Sequence, residues 1–558
     1  MTSFLYTKNY QTFTVETAEG DVVKEFEGAA AAERALPGDV VEPTETGCRL
    51  VTRVSHPPLA GMLEFNTKIR YGFTTRGVPL YMFRPYNEAY PPFLVASKET
   101  LLLKPQLAVV AFEHWDSETV NTFPRGGLVH IIGPAGNKDV EKAAIAFQYS
   151  PWGWSKKTVP EMLVMPSKEG RYILDKPTIN IDPPGCRDID DVLSLWEEDG
   201  IWNIAISIAD VAAFVALNPS LQFAEKIGQT LYTANGKVVR AMFPPKFSED
   251  LFSLLPGEER FVVSLFAKWN GETLYDFKWK ECIVRNWASY TYENCWNVSE
   301  SKIDIDVLRN IVRSLSGGGE ADSHKWVESL MLLYNSEAAA VLKRSGAGLL
   351  RIHAAPEKEI LSKMEWLGLP AKELAYPAAV YATADTGGGH WGLKKSVYCH
   401  ASSPIRRYAD VLNQMVLKAS LGGGTVLTDT YKKYALQLNR SDKATKAYER
   451  DCYFVDCVLG APGIPIQATV VDVVEGKVVV YCFDWKRMIR VKTGQPVKMG
   501  DEVLLGFYAN STRASWKKRI VYRLEVVKSS DTGSQAQQPP ALAYPAAPPT
   551  SPVAPHSG

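Results

Sequence analysis

The feature that most constrains this chain is the ten-residue stretch Asp182–Asp191, which carries four aspartates in the spacing Asp-x5-Asp-x-Asp-Asp. The residues before it, Thr178–Ile181, alternate as in a short β-strand, and Val192–Trp196 and Ile201–Ala209 after it predict two more strands. Two prolines and a glycine at positions 183–185 break regular structure after the first aspartate. The pattern therefore predicts a loop crowded with carboxylates between buried strands.

Aspartates this close together repel one another unless a positive charge lies among them. Oxygen ligands with few soft ligands nearby suit Mg²⁺ or Mn²⁺ better than zinc. An acidic surface loop exposed to solvent would give the same density of charge and is the alternative explanation. The spacing, with strands on both sides, favours a metal site, and other parts of the chain must decide between the two.

The composition allows several domains and excludes some classes of protein. The chain has 558 residues, of which 46% are hydrophobic and 11% aromatic, which is enough for more than one core. Its 62 Lys and Arg residues balance its 62 Asp and Glu residues, so a nucleic acid would have to be bound by local patches. The 8 cysteines are scattered, and the near pair Cys452 and Cys457 has no matching pair at zinc-binding spacing. We therefore predict reduced thiols and no zinc site.

The sequence also bears on cellular location. The first residues lack the basic segment and apolar run of a secretory signal. No apolar run is long enough to span a membrane. These observations predict a cytoplasmic protein without a membrane partner.

Short alternating segments predict small β-barrels at both ends of the chain. Residues 1–57 and 58–165 suit barrels of the OB or cold-shock kind, although any small β domain would show a similar pattern. Residues 461–528 suit a five-strand barrel in which basic and aromatic residues interleave, which predicts a face for base stacking and phosphate binding. A solvated strand face with incidental aromatics is the alternative. The interleaved residues are Tyr481, Phe483, Trp485, Lys486, Arg487, Arg490, Trp516, Lys517, Lys518 and Arg519.

Two arginines lie where a helix is predicted to begin. Ser403 is a good N-cap and Pro404 fits the first helical position, so Arg406 and Arg407 would lie in the first turn. Cations at this end oppose the helix dipole by about 0.3–1 kcal/mol each. The arrangement predicts an anion site, with an internal ion pair to Asp410 as the alternative.

Together these motifs resemble the RNase II/RNase R/Dis3 family of exoribonucleases, whose catalytic module is called the RNB domain. The aspartate loop and the Ser-Pro-Ile-Arg-Arg-Tyr stretch, residues 403–408, carry the resemblance most specifically. Segments of this chain that are also similar to the family are Pro124–Gly133, Ala205–Val215, Met242–Leu254, Val327–Asn335 and Leu349–Pro356. The resemblance covers nearly everything before residue 529.

The resemblance implies an α+β multidomain fold. Residues 1–57 and 58–165 would form two N-terminal OB or cold-shock β-barrels, and residues 166–460 a central α/β RNB catalytic domain. Residues 461–528 would form an S1-like OB barrel. Residues 529–558 are rich in Pro and Ala and almost free of charge, and we predict a disordered tail there.

The resemblance also implies an activity, the Mg²⁺-dependent hydrolysis of single-stranded RNA, processively from the 3′ end, to 5′-nucleotides. Metal ligands, with Mg²⁺ or Mn²⁺ as the ion, would be Asp182, Asp188, Asp190 and Asp191. The catalytic residues would be Asp190, Asp191 and Arg406, the last clamping the scissile phosphate. RNA would be bound by Tyr232 through base stacking, by Tyr292 and Glu328 near the terminal ribose, and by Ser403, Arg406 and Arg407.

The chain departs from the family at a few places. The segment between Tyr292 and Glu328 is much shorter than the family norm, and the missing part would carry a second clamping aromatic. Ser207 and Gln414 stand where the family often has histidines. Neither change removes a predicted metal ligand.

Three functions follow from these observations. The first is a monomeric exoribonuclease of RNA turnover or processing, without an obligate protein partner. The second is a weak or inactive relative that only binds RNA, and the third is a DNA-directed two-metal nuclease. Four carboxylates facing phosphate would repel it, which argues against a pure binder. The match of the Asp, Arg and Glu set to an RNA family argues against DNA.

Overall fold

The fold comes from a computed structural model that describes most of the chain. The described residues are 2–65, 69, 71–99, 105–115, 123–156, 158–295, 303–318, 322–422, 431–460, 463–474, 476–509 and 516–526. The tail predicted at 529–558 lies outside them.

The first five strands are β1 (Ser3–Thr7), β2 (Thr12–Thr17), β3 (Val22–Glu27), β4 (Val40–Pro43) and β5 (Cys48–Thr52). They form an antiparallel sheet in the order β3-β2-β1-β4-β5. Alternate residues face inward, so that Leu5, Phe13 and Val15 are buried. The buried Asp39 carboxylate connects the segments before β4 and after β5, because it accepts hydrogen bonds from the Leu36 and Val54 amides at 2.7 and 3.0 Å.

The next five strands are β6 (Leu59–Leu63), β7 (Leu80–Pro85), β8 (Phe93–Ala96), β9 (Gln106–His114) and β10 (Arg125–Pro134), and they form a barrel. It is closed in the order β10-β8-β7-β6-β9, which confirms the OB-type barrel predicted there. Closure brings Gly126 against β9, where a Cβ would lie 2.4 Å from Val110 Cγ1. Helix α1 (Lys138–Tyr149) follows, capped by the Asn137 side chain.

The central strands are β11 (Tyr172–Leu174), β12 (Thr178–Asp182), β13 (Asp191–Glu198), β14 (Ile201–Ala209), β15 (Leu231–Tyr232), β16 (Val238–Arg240), β17 (Glu259–Trp269), β18 (Leu274–Arg285) and β19 (Ala288–Thr291). Seven of them form a mixed sheet in the order β11-β18-β17-β14-β13-β12-β19, and β15 pairs with β16. The strands predicted on both sides of the aspartate loop are confirmed as β12, β13 and β14.

The remaining elements of this region are α2 (Val211–Leu217), α3 (Ala224–Ile227), α4 (Ile305–Ser316), α5 (Ser323–Ser345), β20 (Leu349–Ile352), α6 (Lys358–Trp366), α7 (Ala371–Ala375), β21 (Val380–Thr383), α8 (Tyr408–Gly422) and α9 (Tyr431–Gly460). The apolar spacing of Trp326, Leu330 and Tyr334 predicts an amphipathic helix over about 324–343, with Gly346 just past its end. In α5 these three residues are buried, and Gly346 ends the helix with a positive φ. None of the helices in the described part of the chain is long and apolar enough to cross a membrane.

The shortened segment before Glu328 contains a helix among its described residues. Asp304 caps α4, accepting hydrogen bonds from two main-chain amides with its side chain. Leu308, Ile311 and Val312 form a buried stripe that joins the central hydrophobic core with α5. Within the described residues 303–318, Ile305–Ser316 form the helix and no residue lies in a strand.

The predicted start of α8 at Pro404 is wrong, because α8 begins at Tyr408 and residues 404–406 form a turn. The Thr230 amide donates to the Arg406 carbonyl at 2.9 Å, and the Tyr408 amide donates to the Gly228 carbonyl at 2.9 Å. These bonds to a distant segment occupy backbone groups that the first helical turn would use. Both arginines consequently precede the helix.

The last sheet contains β22 (Ile466–Val474), β23 (Lys477–Cys482), β24 (Arg487–Lys492), β25 (Glu502–Ala509) and β26 (Ile520–Val526), with α10 (Trp516–Arg519) before its final strand. Its strand order is β24-β23-β22-β25-β26, and the fold as a whole is the predicted α+β arrangement with OB-type barrels.

The predicted stacking face on this barrel is wrong for its main aromatics. Trp485 and Trp516 are buried, packed against Phe454 of α9, and Tyr481 is buried against α6 and α7. Phe483 remains 45% exposed. The aromatics therefore join the barrel to neighbouring helices, and Arg487 forms an ion pair with buried Asp451 of α9 at 2.5 Å.

Candidate active site

One open cleft of about 1140 Å³ brings together all ten residues that the sequence predicted for the site. Its lining includes the four aspartates, both arginines, Ser403, Tyr232, Tyr292 and Glu328. These residues come from segments up to 225 positions apart, the separation of Asp182 from Arg407. The structure thus joins the two most specific motifs in a single place.

The aspartate loop is fixed by main-chain hydrogen bonds on both sides. Asp182 ends β12 and Asp191 begins β13, and these strands pair antiparallel through Ile179 and Leu193. Within the loop, the Ile189 amide donates to Ser253 Oγ at 3.0 Å, and its carbonyl accepts the Leu254 amide at 3.0 Å. The carboxylates are therefore held by buried backbone.

Asp190 is the aspartate that links the two motifs. Its Oδ1 accepts a hydrogen bond from the Ile405 amide at 2.8 Å, and its Oδ2 lies 3.3 Å from Arg406 Nε. Burial raises the pKa of Asp190 to about 7, although Arg406 and the Ile405 amide oppose the shift. Because Asp190 is buried and has one cationic neighbour, a further positive charge in this cleft would stabilise its ionised form.

The other aspartates have different partners. Burial raises the pKa of Asp182, and Asn180 opposes the shift by donating Nδ2–H to Oδ2 at 2.8 Å. Burial also raises the pKa of Asp191 well above its usual value, with the charges of Asp182 and Asp190 adding to it. Asp188 accepts a hydrogen bond from the Tyr232 hydroxyl at 2.8 Å. The predicted stacking residue thus has its hydroxyl among the carboxylates.

These carboxylates fit a hard divalent cation by chemistry. They supply oxygen ligands, and the raised pKa values of Asp182, Asp190 and Asp191 show that burial disfavours the ionised forms of these three without an added cation. Across the described part of the chain, however, no three His, Cys, Asp or Glu side chains are already arranged to enclose an ion. Asp182, Asp188 and Asp190 each also accept a hydrogen bond from the protein.

The two arginines differ in their contacts. Arg406 Nη2 donates to Ser403 Oγ at 3.0 Å, and 48% of the Arg406 side chain is exposed. Arg407 Nη2 donates at 2.8 Å to Asp410 Oδ1, which also accepts the Ser403 amide. The internal ion pair that the sequence left open is present at Arg407. Arg406 is the arginine with its guanidinium half open to the cleft.

The opposite wall carries the residues expected near the ribose. The Tyr292 ring stacks on His324, with ring centroids 3.8 Å apart and planes at 21°. Burial raises the pKa of Tyr292 to about 12, and the Asp182 and Asp191 charges add to the shift. Glu328 follows His324 by one helical turn on α5, is 51% exposed, and pairs with Lys325 at 2.5 Å. A carboxylate acceptor therefore faces the same cleft as the aspartates.

Buried polar residues support the site, and two of them, Asn180 and Asn286, were not among the residues predicted from the sequence. Asn180 and Asn286 are almost fully buried and hydrogen bonded to each other. Gln414 replaces a frequent histidine, and its side chain accepts the Ala212 amide at 3.0 Å and donates to the Ala209 carbonyl at 2.9 Å. Ser207, the other replacement, lies 2.7 Å from Ser264, Oγ to Oγ. The one available signal was Asn180, two residues before Asp182 on the same strand.

The raised pKa of Asp190 makes the stability of the metal-free protein depend on pH. The folded-state pKa of about 7 lies above the ordinary value of 3.8, so the folded protein holds the proton more tightly. The bound proton therefore stabilises the folded protein fully at pH values below the unfolded-state pKa. This stabilisation is lost as pH rises through the folded-state pKa. From pH 5 to pH 8 we expect the free energy of unfolding to fall by about 3 kcal/mol on this account. Urea unfolding in EDTA measures it.

The matched variant is Asp190→Asn, which cannot titrate. It should lose that part of the pH dependence and be more stable than the wild type at pH 8 in EDTA. Equal pH slopes in the two proteins would show that Asp190 is already ionised at pH 5. The comparison removes the contribution of histidines, which titrate in both proteins.

This chain is a multidomain protein in which OB-type barrels lie before and after a mixed sheet with an acidic cleft. Residues 171–316 and 297–423 match the RNB domain family, in two overlapping segments, and residues 80–150 match the Dis3-like cold-shock domain 2. These matches confirm the resemblance to the RNB-domain family that the motifs indicated.

Individual relatives agree with this assignment. The probable exosome complex exonuclease RRP44 of Caenorhabditis elegans is 24% identical over 470 residues, covering 67% of this chain and 48% of that protein. This chain thus spans about half of that relative's length.

Two solved structures share the fold. RNase R of Mycoplasma genitalium, in complex with ribose-methylated single-stranded RNA, has a TM-score of 0.68 at 16% identity, covering 94% of this chain and 100% of that one. Yeast Ssd1, described as a pseudonuclease, has a TM-score of 0.60 at 17% identity and covers 91% and 82%. At these identities the likeness is one of fold.

Proposed function

We propose that this chain is a hydrolytic 3′-to-5′ exoribonuclease that degrades single-stranded RNA processively, releasing 5′-nucleotides in a reaction that requires Mg²⁺ or Mn²⁺. The observation that supports it best is the meeting of Asp190 with Ile405 and Arg406, because this contact places the acidic loop and the arginine turn in one cleft. The family of its relatives supports the same reaction class.

The four aspartates would hold the divalent ions. When bound, the ions would supply Lewis-acid activation of water and stabilise the departing 3′ oxygen. Arg406 would bind a non-bridging oxygen of the scissile phosphate through guanidinium N–H groups that do not contact Asp190 or Ser403. Its charge would then oppose the negative charge that builds up during attack.

The terminal nucleoside would lie against the wall formed by Tyr292, His324 and Glu328. The Glu328 carboxylate would accept a hydrogen bond from the 2′-hydroxyl, which DNA lacks. The Tyr292–His324 stack would offer an aromatic surface to the terminal nucleoside. Tyr232, whose hydroxyl contacts Asp188, would lie closer to the metal ligands than to the base.

The residues of the cleft favour a catalytic function over a function that only binds RNA. A binder would be weakened by four carboxylates at the position of the phosphate, since like charges repel. The Ssd1 likeness is a likeness of fold and does not transfer its lack of activity to this chain. An inactive protein that retains RNA binding is nevertheless the outcome that would replace this proposal.

The test uses one RNA labelled at either end. Single-stranded RNA with a 5′ label should be converted in Mg²⁺ from full length to a short end product with few intermediates, while a 3′ label should appear at once as a mononucleotide. Both reactions should stop in EDTA. Internal fragments from both labels would indicate an endonuclease, and unchanged RNA that still binds would favour the binding-only function.

We expect Glu328→Ala to relax the preference for a 3′-terminal ribonucleotide. A hydrogen bond to a charged group contributes about 1.5–3 kcal/mol, so the preference over a 3′-terminal deoxynucleotide should fall by about 10-fold to 100-fold. Competing the two substrates in one reaction measures the ratio directly.

Lys325→Ala is the matched control, because it removes the ion-pair partner of Glu328 and leaves the carboxylate in place. It should keep the ribose preference. An unchanged preference in Glu328→Ala would remove the sugar role from this residue.

A further inference from the structure

A buried asparagine network ends on Asp182. The Asn286 carbonyl oxygen, Oδ1, accepts the Ala288 amide at 3.3 Å, so its Nδ2 faces the other way. That Nδ2 donates to Asn180 Oδ1 at 2.7 Å, which also accepts Ser289 Oγ–H at 2.5 Å. Two donors on one oxygen fix the orientation of the Asn180 amide.

The fixed amide has one consequence at the cleft. Asn180 Nδ2 must point to Asp182, where it donates to Oδ2 at 2.8 Å. Asn180 is 3% exposed and Asn286 is 1% exposed, so water cannot reach these groups, and breaking their hydrogen bonds would leave buried polar atoms unsatisfied. The position of one carboxylate oxygen of Asp182 is therefore set from inside the sheet.

The same network reaches the other side of the loop. Asn286 Nδ2 also lies 2.8 Å from the Leu254 carbonyl, and the Leu254 amide donates to the Ile189 carbonyl, next to Asp190. The strands support this arrangement, because Asn180 is paired with Ser289 in the register of β12 and β19. The two segments that carry Asp182 and Asp190 thus share one buried anchor.

We propose that Asn180 is a positioning residue that holds Asp182 ready to bind a divalent cation, and that Ser289 and Asn286 act through it. This inference deepens the proposed function and rests on its metal site. Residues that orient metal ligands commonly change metal affinity by 10-fold to 100-fold when mutated. The network predicts such an effect at a residue that touches no substrate.

The test measures direct binding of Mn²⁺ to the full chain without RNA. Electron paramagnetic resonance of the free ion reports how much Mn²⁺ remains unbound. Asn180→Ala should weaken Mn²⁺ binding by about 10-fold. Ser289→Ala should weaken it by about 2-fold to 3-fold, and should have no further effect in the Asn180→Ala background, because Ser289 acts through Asn180. Thermal unfolding of each variant is measured in parallel.

The matched control is Asn218→Ala, which removes a buried asparagine that holds Val164 and Phe214 and makes no contact with the aspartates in the structure. It should lower the unfolding temperature without changing Mn²⁺ affinity. Wild-type affinity in Asn180→Ala, equal weakening in Asn218→Ala, or additive effects of the Asn180 and Ser289 changes would each overturn the positioning role.

The result separates this inference from the proposed function. A wild-type protein that binds Mn²⁺, is weakened by Asn180→Ala, and leaves RNA intact would support the positioning role and refute the nuclease. If the wild type degrades RNA and Asn180→Ala leaves the Mn²⁺ affinity unchanged, the result would support the nuclease and refute the positioning role. A wild-type chain that binds no Mn²⁺ would overturn the positioning role.

Discussion

Replacing Asp190 by asparagine should reduce RNA degradation by at least about 1000-fold while RNA binding changes little. The substitution keeps the shape of the side chain and an oxygen that can accept the Ile405 amide. It removes the negative charge that a divalent ion would need and that Arg406 faces at 3.3 Å. Degradation of 5′-labelled RNA gives the rate, and fluorescence anisotropy in EDTA gives the binding constant.

The control for this variant is Glu249→Gln, which neutralises another carboxylate lining the cleft. Glu249 forms an ion pair with the exposed Arg187 side chain at 3.5 Å. Its rate should stay near that of the wild type. A near-wild-type rate in Asp190→Asn would refute the aspartate assignment, and equal losses in both variants would show that only the total charge of the cleft matters.

The parts of the fold that could be predicted are those that local pattern determines. Strands β12, β13 and β14 follow from alternation and from the breakers at 183–185, and α5 follows from its apolar stripe and its terminal glycine. The acidic loop between strands was predictable for the same reason. These elements depend on residues close together in sequence.

The errors arise where distant segments decide the structure. The start of α8 was misplaced because residues 228–230 bond to the backbone of Arg406 and Tyr408, and no local signal reports that pairing. Trp485 and Trp516 were expected on an exposed face, but Phe454 of α9 covers them. An alternation pattern shows that residues share a face and does not show what packs on it.

The candidate site divides in the same way. The four aspartates and Arg406 could be named from their motifs, and their meeting in one cleft adds geometry to that prediction. Asn286 could not be found, because it lies 106 positions from Asn180 and its role depends on a hydrogen bond at 2.7 Å across two strands. The support of a site is set by tertiary contacts, so it escapes motif analysis.

Arg406→Ala should lower the turnover number by about 100-fold to 1000-fold and weaken RNA binding by only about 3-fold. The guanidinium is anchored to Asp190 and Ser403 while half of the side chain is exposed, so its position is fixed before substrate arrives. A preorganised cation contributes most where charge builds up during the reaction, which affects turnover more than binding. Single-turnover rates at saturating protein, together with anisotropy, separate the two quantities.

Arg187→Ala provides the comparison that identifies the role of Arg406. Arg187 lines the same cleft, and its side chain is 74% exposed, so its loss removes an equal charge without the anchored geometry. Its effect on turnover should be no larger than its effect on binding, as expected for a residue that attracts the RNA backbone. If Arg406→Ala behaves like Arg187→Ala, with equal losses in turnover and binding, Arg406 only docks RNA. A selective loss of turnover at Arg406 alone would show that the contact with Asp190 positions it on the reacting phosphate.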